Sequence, residues 1–260
     1  MPNLQVVSVS RHAGQRWQRY TSYAFARGDA LCPLVAQELP KVLMSLPIGF
    51  IKVGDGFLPA AIMGLQPGKN LLVAPDGRWL TSYIPAAYRG YPFSLGRTAE
   101  GQRVLCIDED SGLLSASEGE PFFDEAGKPV QAISDVLAFL SQVQNNREAT
   151  ERACAVLQAH GLIRSWPIKL RGDSGEQELA GLYCIDEAAL KALPAEALGA
   201  LRDADALSLA YCQLLSMQHI TQLGPLADAH ARAAQKAAGQ TGKAELDLEF
   251  LNRSETISFG

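Results

Sequence analysis

Pro47-Ile-Gly-Phe-Ile-Lys-Val53, then Gly54-Asp55-Gly56, then Phe57-Leu-Pro59-Ala-Ala-Ile-Met-Gly-Leu65 is the stretch that decides the fold. Two apolar runs of strand length flank a turn-forming Gly-Asp-Gly, the pattern of a β-hairpin. Pro59 cannot donate to a ladder and is expected at a bulge or a sheet edge. Working outward, Pro67-Gly68-Lys69-Asn70, the short apolar run Leu71-Leu72-Val73 and Pro75-Asp76-Gly77 continue the alternation of strands and tight turns. Leu4 to Val9, Tyr91 to Leu95 and Arg103 to Ile107 read as further strands, the last two joined by a polar connection around Gly96 to Gly101. One short helix is expected near Val35 to Ser45, with Pro40 as a break.

Beyond residue 125 the apolar period changes from two to about 3.6. Val130, Ile133, Val136, Leu137, Leu140 and Val143 fall on one face of a helix that Asn145 and Asn146 would end. A second helix is expected from Arg147 to His160, with Ala153, Val156 and Leu157 inward and Gly161 as its stop. The pair would pack antiparallel. Ile163 to Leu170 and Glu178 to Ile185 flank Arg171-Gly-Asp-Ser-Gly175 as a hairpin. Asp186, Pro194 and Asp205 each open a helix; in the last, Leu207, Ala210, Tyr211, Leu214 and Met217 form the expected buried stripe.

The expected fold class is therefore α+β: an antiparallel strand-rich N-terminal half, a helical pair, a β-hairpin and C-terminal helices. Residues 1–225 are expected as a single domain, strand-rich over 1–125 and helix-rich over 126–225. Residues 226–260 read as a tail, helical through Ala227 to Ala238, with Leu246, Leu248 and Phe250 alternating as a strand that could dock on a partner or join copies of the chain.

The 260 residues carry 23 Lys and Arg against 28 Asp and Glu, a net charge of −5, which is the wrong sign for coating nucleic acid. No stretch reaches the ~18 uninterrupted apolar residues of a membrane span. The start lacks a basic head followed by an apolar run, so a cytoplasmic location is expected. Five widely separated cysteines, Cys32, Cys106, Cys154, Cys184 and Cys212, suit buried thiols better than a disulfide framework. There is no Cys-x-x-Cys, His-Glu-x-x-His or Gly-x-Ser-x-Gly motif, and the four histidines have no chelating spacing. Neither a metal nor a cofactor is expected. Gly64-Leu-Gln-Pro-Gly68-Lys69-Asn70 is one residue short of a phosphate loop and reads as a Pro-Gly turn.

The densest polar-aromatic stretch runs from Pro75 to Phe93. Arg78, Trp79, Tyr83, Tyr88, Arg89 and Tyr91 within it are the candidate ligand- or partner-binding residues. Flat rings supply contact area and guanidinium groups pair with carboxylate or phosphate. The competing reading is a turn and short helix pinned to the sheet by its rings. Asp108 and Glu109, at a strand end, are the candidate acid–base pair, against the alternative of a solvated acidic loop.

Tyr23-Ala-Phe-Ala-Arg27, Glu38-Leu-Pro40, Pro75-Asp-Gly-Arg-Trp79, Tyr83-Ile-Pro-Ala86, Arg89-Gly-Tyr-Pro-Phe93, Leu105-Cys-Ile-Asp-Glu109 and Leu182-Tyr-Cys-Ile-Asp186 occur in this order, followed by Ala188-Ala-Leu-Lys-Ala-Leu193. The series resembles the bacterial SapC family over roughly residues 4 to 225; the peptide-transport permease of the same name is unrelated. The resemblance implies kinship with proteins named for surface-layer loci, many found beside flavin-dependent tryptophan-halogenase-like proteins and outer-membrane receptors. It carries over no catalytic residues. The expected function is a non-catalytic accessory or binding protein that recognises a partner protein or small ligand. An enzyme acting on a peptide or modified amino acid, and a surface-layer-associated structural protein, are the alternatives.

Overall fold

The computed structural model describes residues 2–172, 175–239 and 248. Its secondary structure is mixed α+β: antiparallel sheets, one long helix, and helices toward the C-terminus. Asp173 and Ser174 of the expected turn, and the Leu246–Phe250 alternation apart from Leu248, lie outside the described residues. So does most of the segment through which copies were expected to associate.

Contacts gather the chain into two compact units, each built from two separated stretches. The first comprises Met1–Thr21 and Pro85–Ala149. Its three-stranded sheet sets Arg103–Asp108 between Leu4–Val6 and Phe93–Arg97, all antiparallel. A second small sheet places Arg16–Trp17 between Leu114–Ser115 and Glu120–Pro121. Trp17, Phe93, Leu105, Ile107, Phe122 and Ile133 form its buried core. Trp17 meets Phe93 edge-on at 4.9 Å, a favoured aromatic geometry.

The second unit comprises Ser22–Ile84 and Thr150–Gly260. Its five-stranded sheet runs Ile163–Ser165, Leu182–Ile185, Ile48–Val53, Gly56–Ile62 and Leu31–Pro33. The expected hairpin is present, with Ile48 opposite Ala61 and Val53 opposite Gly56, and Gly54 at φ 57° supplies the left-handed turn residue. Pro59 sits inside the strand Gly56–Ile62 rather than at an edge. Its carbonyl accepts from Leu34 N, just past Leu31–Pro33, so the N–H it lacks costs the sheet one bond at the end of that pairing. Leu71-Leu72-Val73 makes a single bridge, Val73 to Trp79, instead of a strand.

Three further expectations are corrected. The helical pair is one continuous helix, Gln131–Ala159. Asn145 and Asn146 do not end it because their side chains are engaged: Asn145 Oδ1 accepts from Arg103 Nη1 at 2.7 Å, and Asn146 Nδ2 donates to Gln142 O one turn earlier at 3.3 Å. Their usual competition for nearby backbone groups is thereby removed. The short helix expected over Val35 to Ser45 is two pieces, the 3-10 turn Ala36–Glu38 and the helix Leu39–Val42, and Pro40 lies in the first turn of the second, where its missing N–H leaves no bond unmade.

The stripe expected on Ala206–Ser216 is rotated. Leu209, Ala210, Cys212, Gln213 and Ser216 are buried, whereas Tyr211 is 53% exposed. Gln213 Nε2 donates to Ile48 O at 3.1 Å and its Oε1 accepts from Ile185 N at 2.9 Å, while Ser216 Oγ accepts from Ile48 N. Satisfying these buried backbone groups outweighs the apolar pattern in choosing the face. The helix Leu223–Gly239 runs through position 225 and buries Leu223, Leu226, Ala229 and Ala233, so this part of the expected tail is a packed element.

Candidate functional site

The Pro75–Phe93 stretch divides between the two units. Arg78, Trp79 and Tyr83 belong to the second; Tyr88, Arg89 and Tyr91 belong to the first.

In the second unit, a turn closed by Gly77 N donating to Ala74 O sets the segment. Gly77 is at φ 89°, and a Cβ there would fall 2.0 Å from Ser22 Oγ, so only glycine fits. Arg78 is exposed and pairs with Asp76, with Nε 2.6 Å from Oδ2. That guanidinium holds the Asp76 carboxyl below its usual range. Trp79 and Tyr83 are half-buried, and their polar atoms point back into the fold. Trp79 Nε1 donates to Tyr83 O at 2.8 Å and to Thr81 Oγ1 at 2.9 Å. The Trp79 ring lies 5.4 Å from that of Tyr23. The Tyr83 hydroxyl donates to Oε2 of the buried Glu38.

With its two rings so held, the segment offers Leu80, Thr81 and Ser82 to a cavity of about 210 Å³. The remaining wall comes from Met44–Pro47, Leu72, His219, Gln222, Leu223 and Leu226. Its lining contains no Lys, Arg, Asp or Glu. His219 Nε2 lies 2.8 Å from Leu43 O. A carbonyl only accepts, so this nitrogen carries the hydrogen; Nδ1 lies 3.4 Å from Gln222 Nε2. The Ser45 hydroxyl is buried and has no hydrogen-bond partner among the described residues.

In the first unit, Tyr88 is buried on the short helix Ala86–Arg89. Arg89 is exposed, with its guanidinium 5.3 Å from the Phe139 ring centre, a cation–π arrangement. Tyr91 is half-buried, edge-on to Tyr20 at 6.1 Å. Burial, with the Asp108 charge adding to it, raises its phenol above the ordinary value.

Asp108 and Glu109 are both engaged by the N-terminal segment. Asp108 Oδ1 accepts from Asn3 N at 2.8 Å and from Asp110 N at 3.2 Å, capping the turn Glu109–Ser111. Glu109 accepts from Arg11 Nε at 2.5 Å and Nη2 at 2.7 Å. Those bonds hold its carboxyl below the usual range, which makes it a weak base and keeps it ionised. Nε2 of His12, a residue with no exposed surface, lies 3.4 Å from Glu109 Oε1. Among the described residues, no group of three or more His, Cys, Asp or Glu side chains could hold a metal ion.

A family model described as SapC matches residues 7–223. The chain belongs to the SapC family. No curated protein and no solved structure matches it. The SapC match spans both units and the whole of the cavity wall except Leu226. Among the described residues of this SapC protein, no helix is long and apolar enough to cross a membrane.

Ser45, His219 and Gln222 were not singled out by sequence. Ser45 lies far along the chain from His219 and Gln222, which share the short helix Met217–Gln222, and the three line one cavity only through the fold.

Proposed function

We propose that this SapC protein is a non-catalytic accessory or binding protein that recognises a partner protein or a small ligand through Arg78–Tyr83 and the adjoining cavity. The observation that carries this reading is the double anchoring of the segment. Trp79 bonded to Tyr83 O, and Tyr83 bonded to Glu38, hold Leu80–Ser82 in one conformation against an open hollow. A recognition surface ordered before binding loses little conformational entropy when it is occupied. Halogenase-like flavoproteins are the partner class to look for first, and a cytoplasmic location belongs to the same proposal.

Affinity capture from the native cell tests it, with the wild-type chain compared with Arg78→Ala and Ser82→Arg. Both positions are exposed, so neither substitution should shift Tm. Co-purifying protein or small molecule should be retained by the wild type and depleted from the variants. Equal retention by all three would remove the segment from the binding role. Fractionation of the same cells should place the protein in the cytosol, and its recovery with envelope would contradict that location.

A further inference from the structure

We propose that a second surface of this SapC protein, the open strand edge Leu4–Val6 with the apolar hollow at its end, binds an extended, uncharged segment of a partner protein as an added strand. Its residues all lie in the first unit, and it does not depend on the role of Arg78–Tyr83.

The edge supplies hydrogen bonds. Leu4–Val6 is the outer strand of its three-stranded sheet. Glu109 N donates to Asn3 O and Val7 N donates to Leu105 O, so alternate residues from Asn3 onward turn their backbone groups toward Arg103–Asp108. Leu4 and Val6 therefore turn theirs outward, and both residues are 49% exposed. Strand groups left open in this way are a template for another strand.

The hollow supplies the apolar bed. It has a volume of about 400 Å³ and begins at Val6 and Val7, beside the first turns of the helix Gln131–Ala159. Val6, Pro129 and Leu137 in its wall are exposed and Phe123 is half-buried, so its apolar surface is open to solvent. Among the described residues the wall holds no Lys, Arg, Asp, Glu or His, and its one hydroxyl, on Ser134, bonds to Val130 O. An apolar cavity of ~150 Å³ holds one benzene ring, so this one has room for about two side chains of leucine size.

Edge and hollow together select the occupant. A small apolar molecule would fill the hollow and leave the edge unpaired. A charged segment would lose its hydration there and meet no counter-ion. Edge-to-edge pairing of two copies would serve the edge but bring polar amides to the hollow, because Gln5 lies opposite Ile107 on the face that Leu105 shares, with Asn3 bonded to it. An extended segment with apolar side chains at alternate positions meets both requirements.

The probe is the peptide acetyl-Thr-Leu-Thr-Leu-Thr-amide, titrated into the full chain and followed by amide NMR and hydrogen exchange. It should give saturable shifts. The amides of Leu4 and Val6 should exchange at least about ten-fold more slowly once it is bound, while Val7, already bonded to Leu105 O, changes less. Peptides with Glu or Lys in place of Leu should bind at least about ten-fold more weakly. N-methylation at the leucines and N-methylation at the threonines should differ, one abolishing binding and the other sparing it, since only one row of peptide N–H groups meets the edge. Leu137→Glu and Ser134→Arg, both at exposed positions, should each weaken binding about ten-fold, with free spectra that keep the wild-type fold. Absence of saturable shifts, binding without protection of Leu4 and Val6, or equal binding by the charged peptides would overturn the proposal. So would an equal effect of the two methylations, or indifference to both variants. Protection of Leu4 and Val6 in a concentration-dependent dimer of the free chain would make a second copy the occupant and overturn it too.

Discussion

The Tyr83 hydroxyl donates to Glu38 Oε2 at 2.9 Å, while Glu38 Oε1 accepts from Val35 N at the same distance. A buried carboxylate thus joins the turn that begins at Val35 to the segment that walls the cavity. Removing the hydroxyl deprives a buried charge of a donor, and hydrogen bonds to charged groups are stronger than neutral ones. Tyr83→Phe should therefore lower stability by about 1–2 kcal/mol in urea denaturation and loosen Leu80–Ser82. An unchanged urea midpoint would mean that the bond contributes nothing to holding the segment.

Two histidines make stability depend on pH. His12 is buried against the Phe122 ring, with centroids 5.1 Å apart, and its Nδ1 accepts from Ser8 N at 3.2 Å. A second proton would have to displace that bond. Burial pushes its pKa below the ordinary value, with the neighbouring Arg11 charge acting in the same direction and Glu109 against it. In the other unit burial lowers His230 likewise, with Lys69 adding to the effect, while its Nε2 donates to Leu71 O. The unfolded chain takes up these protons near pH ~6.5 and the folded chain only at lower pH. Between those values the unfolded state binds more protons, so stability falls as pH drops from about 7 to 5.5. His12→Gln and His230→Gln should each flatten part of this slope. An unaltered slope in the double variant would assign it to other groups.

The hairpin at Ile48–Ile62 was legible because its two apolar runs and its Gly-Asp-Gly turn are local properties, decided within neighbouring residues. The long helix was not, because what keeps Asn145 helical is Arg103, on a strand distant in sequence. The rotation of Ala206–Ser216 was hidden for a related reason. A helix apolar on most sides has no preferred face by hydropathy, and the polar Gln213 and Ser216 decide it from within. At the candidate site, composition marked the Arg78–Tyr91 stretch but not its orientation. Trp79 and Tyr83 turn their polar atoms inward, and the cavity they support is assembled from segments that no spacing rule connects.

The five cysteines are all buried, and no two of them are joined by a disulfide. Burial raises the thiol pKa of Cys106, Cys184 and Cys212, and pushes Cys154 up to about 12. At pH 8 a thiol of that pKa is ionised in only ~1 molecule in 10,000, and the thiolate is the reactive form. A thiol reagent such as dithionitrobenzoate should leave the folded protein unlabelled over an hour and label all five positions in denaturant. Rapid labelling of one cysteine in the folded state would reveal an opening that the static packing does not contain.

Gln213 offers the sharpest separation between packing and polar satisfaction. Its amide serves two neighbouring strands at once, donating to Ile48 O and accepting from Ile185 N. Gln213→Ala leaves both backbone groups buried without these partners and should cost about 2–5 kcal/mol. Gln213→Leu restores most of the volume but neither bond, so the loss should remain large. Ser208→Ala, at an exposed position of the same helix, controls for helix propensity and should stay within about 0.5 kcal/mol of wild type. If Gln213→Leu were as stable as the wild type, volume alone would explain the site, and the clamp could not be what sets the rotation of Ala206–Ser216. If it unfolds as readily as Gln213→Ala, the two hydrogen bonds hold that helix on the sheet, and Tyr211 and Leu215 face outward as a consequence.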